Sequence, residues 1–93
     1  MSIYELALVL REGAGKNEAE LKKIAAEIVS KVKGRITSTN SLGLKQLSYP
    51  VKKADKGQVL FLEIELAETE VKSLEQSLKI NEQVLRYLII KKE

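Results

Sequence analysis

From Gly43 to Glu65 the chain alternates apolar and polar residues over a length that only a long β-hairpin accommodates. Leu47, Tyr49 and Val51 alternate with Gln46, Ser48 and Lys52, the period of two of a half-buried strand. The return run sets Leu60, Leu62, Ile64 and Leu66 on one face and Val59, Phe61, Glu63 and Glu65 on the other. Between them, Ala54-Asp55-Lys56-Gly57 is predicted to make the reversal, because Asp bonds its own backbone and Gly accepts positive φ. Pro50 has no N–H to give to a ladder, which assigns the outgoing strand to a sheet edge, and Gly43 within it marks a bulge.

The remaining elements arrange themselves around this hairpin. Ile3 to Leu10 alternates with apolar residues on both faces, the pattern of a central strand. Asn17 stands three residues before Glu20, the spacing of a capping box, and a helix follows. Its stripe is Leu21, Ile24, Ala25, Ile28, Val29 and Val32, and Gly34 is predicted to close it as the C′ residue. Arg35 to Leu42 mixes strand formers with Asn40-Ser41. Ala67 to Lys79 reads as a second helix buried through Val71, Leu74 and Leu78, and Val84 to Ile90 as a last strand. The order β-α-β-β-α-β predicts an α+β, ferredoxin-like sandwich in one domain, residues 1–93. Its four-stranded antiparallel sheet would run 4-1-3-2 with both helices on one face.

Composition removes most catalytic chemistry. The chain has neither Cys nor His, so thiolate nucleophiles, disulfides, imidazole bases and ordinary zinc sites are absent. Neither a metal nor a cofactor is expected. Nothing approaches an apolar run of about 18 residues, and Met1 to Glu5 lacks the layout of a signal peptide, so the expected compartment is the cytoplasm.

Charge is unevenly placed. Lys45 to Lys56 holds four lysines (45, 52, 53 and 56) against Asp55, Gln58 to Glu82 holds six glutamates against two lysines, and Arg86, Lys91 and Lys92 follow near the end. A lysine-rich ribbon serves solubility, or it neutralises phosphates in a salt-sensitive way without reading bases. The sheet face away from the helices would show Ile3, Glu5, Ala7 and Val9 beside Val59, Phe61, Glu63 and Glu65. An RNA-recognition motif stacks bases on that face, but Phe61 is its one aromatic and three carboxylates would repel phosphate. Such a face is either simply solvated or suited to a basic protein partner.

Gly43-Leu44-Lys45-Gln46-Leu47-Ser48-Tyr49-Pro50-Val51-Lys52, followed by Lys53 and Gly57, resembles the hairpin signature of the bacterial small-subunit ribosomal protein six family. Tyr4-Glu5 and Val84-Leu85-Arg86-Tyr87-Leu88 extend the likeness over almost the whole chain. The resemblance implies a non-enzymatic ribosomal protein with the fold just read. It would bind the central domain of small-subunit ribosomal RNA, paired with small-subunit ribosomal protein eighteen. Lys45 and Arg86 match basic positions of the family, whereas Ser2 replaces an arginine that some members carry. On this reading the RNA-binding residues are Lys45, Lys52, Lys53, Lys56, Arg86, Lys91 and Lys92, and the partner protein meets Glu5, Phe61, Glu63, Leu88 and Ile90. Two other readings use the same fold. Arg11 before Gly13-Ala14-Gly15, with Asn40, is similar to the anion cradle of an acylphosphatase, and a ligand-binding regulatory domain would need no motif at all.

Overall fold

The computed structural model describes residues 2–15, 17–51 and 54–92, with 48–51 described by backbone alone. Seven elements follow one another: β1 (Ser2–Arg11), α1 (Glu18–Ser30), β2 (Arg35–Val51), β3 (Ala54–Leu66), a 3-10 turn (Glu68–Glu70), α2 (Val71–Ile80) and β4 (Val84–Lys91). The sheet is antiparallel in the order β2-β3-β1-β4, which is 4-1-3-2 read from the other edge. Edge position for β2 agrees with Pro50, and the ambiguous Arg35 to Leu42 stretch belongs to that same strand.

One face of the sheet carries the core. Tyr4, Leu6, Leu8 and Leu10 of β1 and Leu60, Leu62, Ile64 and Leu66 of β3 are buried against Leu21, Ala25, Ile28 and Val29 of α1 and Leu74 and Leu78 of α2. Each buried leucine or isoleucine contributes roughly 1.5–3 kcal/mol from apolar surface removed from water. No helix among the described residues is long and apolar enough to cross a membrane.

Capping follows the sequence at the start of α1 and departs from it at the end. The Asn17 Oδ1 accepts from the Glu20 N–H at 3.0 Å. At the C-terminus the Lys33 N–H donates to Ser30 O at 3.0 Å and the Gly34 N–H to Val29 O at 3.1 Å, the paired bonds of a Schellman closure. Lys33, at φ 60°, takes the left-handed position that the sequence assigns to Gly34. The second helix also differs, since its first turn, Glu68–Glu70, is 3-10 before the α-helix begins at Val71.

β2 carries irregularities where β3 has none. Its register slips at Thr37 and at Leu42, and Gly43 beside the second bulge adopts φ 80°. A third slip lies between Gln46 and Val51, and Val51 pairs with Ala54. The chain therefore reverses between Val51 and Ala54, and Ala54-Asp55-Lys56-Gly57, predicted as the turn, belongs to β3. Gly57 is buried between Arg11 on β1 and Lys45 on β2. A Cβ there would fall 2.4 Å from Val9 Cγ1 and 3.2 Å from Leu10 O. Close approach of three strands, not a turn, requires this glycine.

Gly57→Ala is expected to destabilise the fold by about 1–3 kcal/mol, the usual cost of overpacking, because the stiff valine side chain cannot swing away. Urea denaturation of Gly57→Ala, Val9→Ala and the double variant checks this. The double variant should be more stable than the sum of the two single losses.

Candidate nucleic-acid and partner surfaces

The hairpin outreaches the sheet. Pairing of β3 with β1 ends at Gly57 with Arg11, whereas pairing with β2 continues through Gln46 with Lys56 to Val51 with Ala54. The segment beyond Gly57 is thus a two-stranded arm. Lys45 faces Gly57 and Lys56 faces Gln46, adjacent register positions, so the two exposed lysines lie on opposite faces of the ribbon. Lys52 and Lys53 lie outside the described residues. The arm bends across the sheet end, because Leu47 joins Ala7, Val9, Arg86, Tyr87 and Leu88 around a hollow of about 270 Å³. Arg86, opposite Val9 and exposed, stands on the rim of that hollow. Lys45, Lys56 and Arg86 are consequently gathered at one end of the molecule.

Lys91 and Lys92 occupy the other end. Lys91 pairs with Tyr4 in the ladder, and the Lys92 N–H donates to Ile3 O at 2.8 Å. Arg86 and Lys91 are five positions apart along the strand, about 17 Å at the usual rise. The Lys92 Nζ lies 2.9 Å from Glu63 Oε2 and 3.9 Å from Glu5 Oε1. The Lys91 Nζ bonds Glu68 Oε1, which also accepts from Ser2 Oγ at 3.1 Å. These contacts have electrostatic consequences. The hydrogen bond from Lys92, reinforced by its charge, holds the Glu63 carboxyl below the usual carboxylate range. Hydrogen bonds from Lys91 and Ser2 do the same for Glu68, and the bond to Glu68 raises the Lys91 ammonium. All are exposed, so their effect on stability is small and salt-dependent.

The five residues assigned to a protein partner come together on the open face. Glu5 pairs with Glu63 on one side and Ile90 on the other, and Ala7 likewise with Phe61 and Leu88. Phe61, Leu88 and Ile90 are 46%, 56% and 49% exposed. A hollow of about 290 Å³ opens beside them, lined by Glu5, Ser38, Asn40, Phe61, Leu62 and Glu63. Thr37 Oγ1 donates to Glu63 O at 3.1 Å, and Arg35 pairs with Glu65 at 2.8 Å, which orders the acidic row. Sequence reasoning missed Lys92 as a member of this face. The signal was present, since Arg86, Leu88, Ile90 and Lys92 follow the period of two. Glu68 and Ser2 as partners of Lys91 had no such signal.

The anion cradle does not assemble. Arg11 Nε donates to Glu82 O at 2.9 Å and the Arg11 N–H to Gln83 O at 2.8 Å, which ties β1 to the α2–β4 turn. Asn40 lies opposite Phe61, in line with Ala7, four residues along β1 from Arg11. No group of three or more metal-ligating side chains occurs among the described residues.

Comparison with known proteins agrees with this architecture. A family model described as ribosomal protein S6 matches residues 3–91. The chain is 32% identical over 93 residues to the small ribosomal subunit protein bS6 of Sulfurovum sp. (strain NBC37-1), covering 98% of this chain and 72% of that one. To the bS6 protein of Thermus thermophilus it is 29% identical over 94 residues, covering 100% and 93%. The crystal structure of 30S ribosomal protein S6 from Thermotoga maritima shares the fold at a TM-score of 0.81, with 19% identity over 98% of this chain and 87% of that one. A β-α-β-β-α-β body without thiol or imidazole, carrying that hairpin signature and matched by that family from its third residue to its ninety-first, belongs to the ribosomal protein S6 family of the small ribosomal subunit.

Proposed function

We propose that this structural, non-enzymatic protein of the ribosome grips the central domain of small-subunit ribosomal RNA with its hairpin end. Small-subunit ribosomal protein eighteen would meet its open sheet face. The observation that carries the reading is the separation of two chemistries. Lys45, Lys56 and Arg86 collect at one end of the sheet, while Glu5, Phe61, Glu63, Leu88 and Ile90 form an apolar and acidic surface beyond it. The first is suited to phosphate and the second to a basic protein.

Lys52 and Lys53, outside the described residues, belong to the same proposed phosphate-binding set. Lys91 and Lys92, part of the phosphate set in the sequence reading, are engaged by Glu68 and Glu63. Phosphate contact by either would have to displace a carboxylate already in place. We therefore assign Lys92 to the partner face, where it sets the orientation of Glu5 and Glu63, and give Lys91 at most an accessory share in RNA binding.

Charge reversal of Lys45, Lys52 and Lys53 together should weaken binding to a central-domain transcript. It should also flatten the plot of log affinity against log salt by about 0.9 for each phosphate no longer neutralised. An unchanged slope removes the hairpin from the RNA site. Titration of that transcript with and without the partner protein should show tighter binding when the partner is present, and Phe61→Ala should reduce the difference. Equal affinities in both titrations rule out a paired mode of binding.

A further inference from the structure

A third hollow lies where α2 hands over to β4, and the reading above gives it no role. Leu78, Lys79, Val84, Leu85, Arg86 and Tyr87 enclose about 300 Å³. Local geometry creates it. The α2 helix ends at Ile80, the Asn81 Oδ1 accepts from the Gln83 N–H at 2.9 Å, and the Val84 N–H donates to Asn81 O at 3.1 Å. So tight a turn starts β4 directly beside the last turn of α2. The ladder with β1 then slips, for Val9 pairs with Arg86 and Leu10 with Val84, leaving Leu85 as the extra residue. This bulge buries Val84 and Leu85 in succession and leaves Arg86 exposed. Arg86 consequently borders both this hollow and the one under Leu47 at the hairpin foot.

The lining combines apolar Leu78, Val84 and Leu85 and aromatic Tyr87 with two cations, Lys79 and Arg86. Glu75, one turn back on α2, and Glu82 in the turn are the acidic residues nearby in the chain. Arg11 is bound to the Glu82 carbonyl and adds a third cation to this end. Apolar and cationic side chains in one lining match a nucleotide, whose base and ribose present apolar surface and whose phosphate is anionic.

We propose that this hollow is an additional RNA subsite, which holds one nucleotide of a single-stranded segment with its phosphate between Lys79 and Arg86. The RNA track then runs from the hairpin, past Arg86, around the edge of β4 to the C-terminal end of α2. Lys79 is the residue this adds. The inference rests on the reading that the chain binds ribosomal RNA. Lys79 also sits favourably at the negative end of α2, but that role affects stability and leaves salt dependence of RNA binding untouched.

The experiment measures binding of the central-domain transcript over a range of salt, with the partner protein present. It compares the wild-type chain with Lys79→Gln, Lys79→Arg and Lys72→Gln, the last an exposed lysine elsewhere on α2. Expected is a slope shallower by about 0.7 for Lys79→Gln, the value for one neutralised phosphate on a single strand. Lys79→Arg should restore the slope and Lys72→Gln should keep it. A wild-type slope in Lys79→Gln overturns the subsite, as does weakened partner affinity with the RNA slope intact, which would assign the hollow to protein. Failure of the wild-type pair to bind the transcript overturns the parent reading instead. A hairpin variant without effect beside an altered Lys79→Gln removes the hairpin and retains the hollow.

Discussion

Ten consecutive pairs, from Ser2 with Leu66 to Arg11 with Gly57, join β1 to β3 without a single irregularity. That run places Tyr4, Leu6, Leu8 and Leu10 beside Leu60, Leu62, Ile64 and Leu66, all buried beneath the helices. A slip of one residue would turn the four core side chains of one of these strands to the opposite face, bringing Glu5 of β1, or Glu63 and Glu65 of β3, into the core. The edge strands have fewer core residues to align, Val84, Tyr87 and Ile89 on β4 and Ile36 on β2. The edge strands accordingly absorb the misfit, β2 with slips at Thr37 and Leu42 and β4 with one at Leu85.

Burying one face commits the other to solvent or to a partner. The α1 and α2 helices both lie on the leucine side, so the opposite face retains Phe61, Leu88 and Ile90 about half exposed. The Glu63 carboxylate is held in place by Lys92 and Thr37, and that of Glu65 by Arg35. The arm beyond Gly57 keeps a ladder with β3 alone and meets the body of the sheet through Leu47. Scaffold and surfaces thus follow from a single distribution of apolar residues.

What the sequence conveyed was whatever periodicity controls. The strand faces, the α1 stripe, the Asn17 cap, the Gly43 bulge and the edge position of β2 all depend on spacing or on one residue's backbone chemistry. Readings that depended on distant neighbours went astray. Gly57 looks like a turn residue because its local string is Asp-Lys-Gly, but its role is set by Val9 and Leu10 on another strand. Lys33 takes the left-handed position ahead of Gly34 because the closing hydrogen bonds to Val29 and Ser30 decide where α1 ends. The ion pairs of Lys91 and Lys92 have no mark in the string either, because only the sheet brings Glu68 and Glu63 within reach of them.

β4 runs through both surfaces, with Arg86 at the hairpin end and Ile90 on the open face. It is an edge strand, joined to the sheet by β1 alone. Any ligand that steadies one half of this strand therefore acts on the mounting of the other half. By linkage, whatever free energy one macromolecule lends to the docking of a second is returned in equal measure when the order of arrival is reversed. Two components docking on the two halves of this strand would reach the same equilibrium whichever came first. Order enters only through rates.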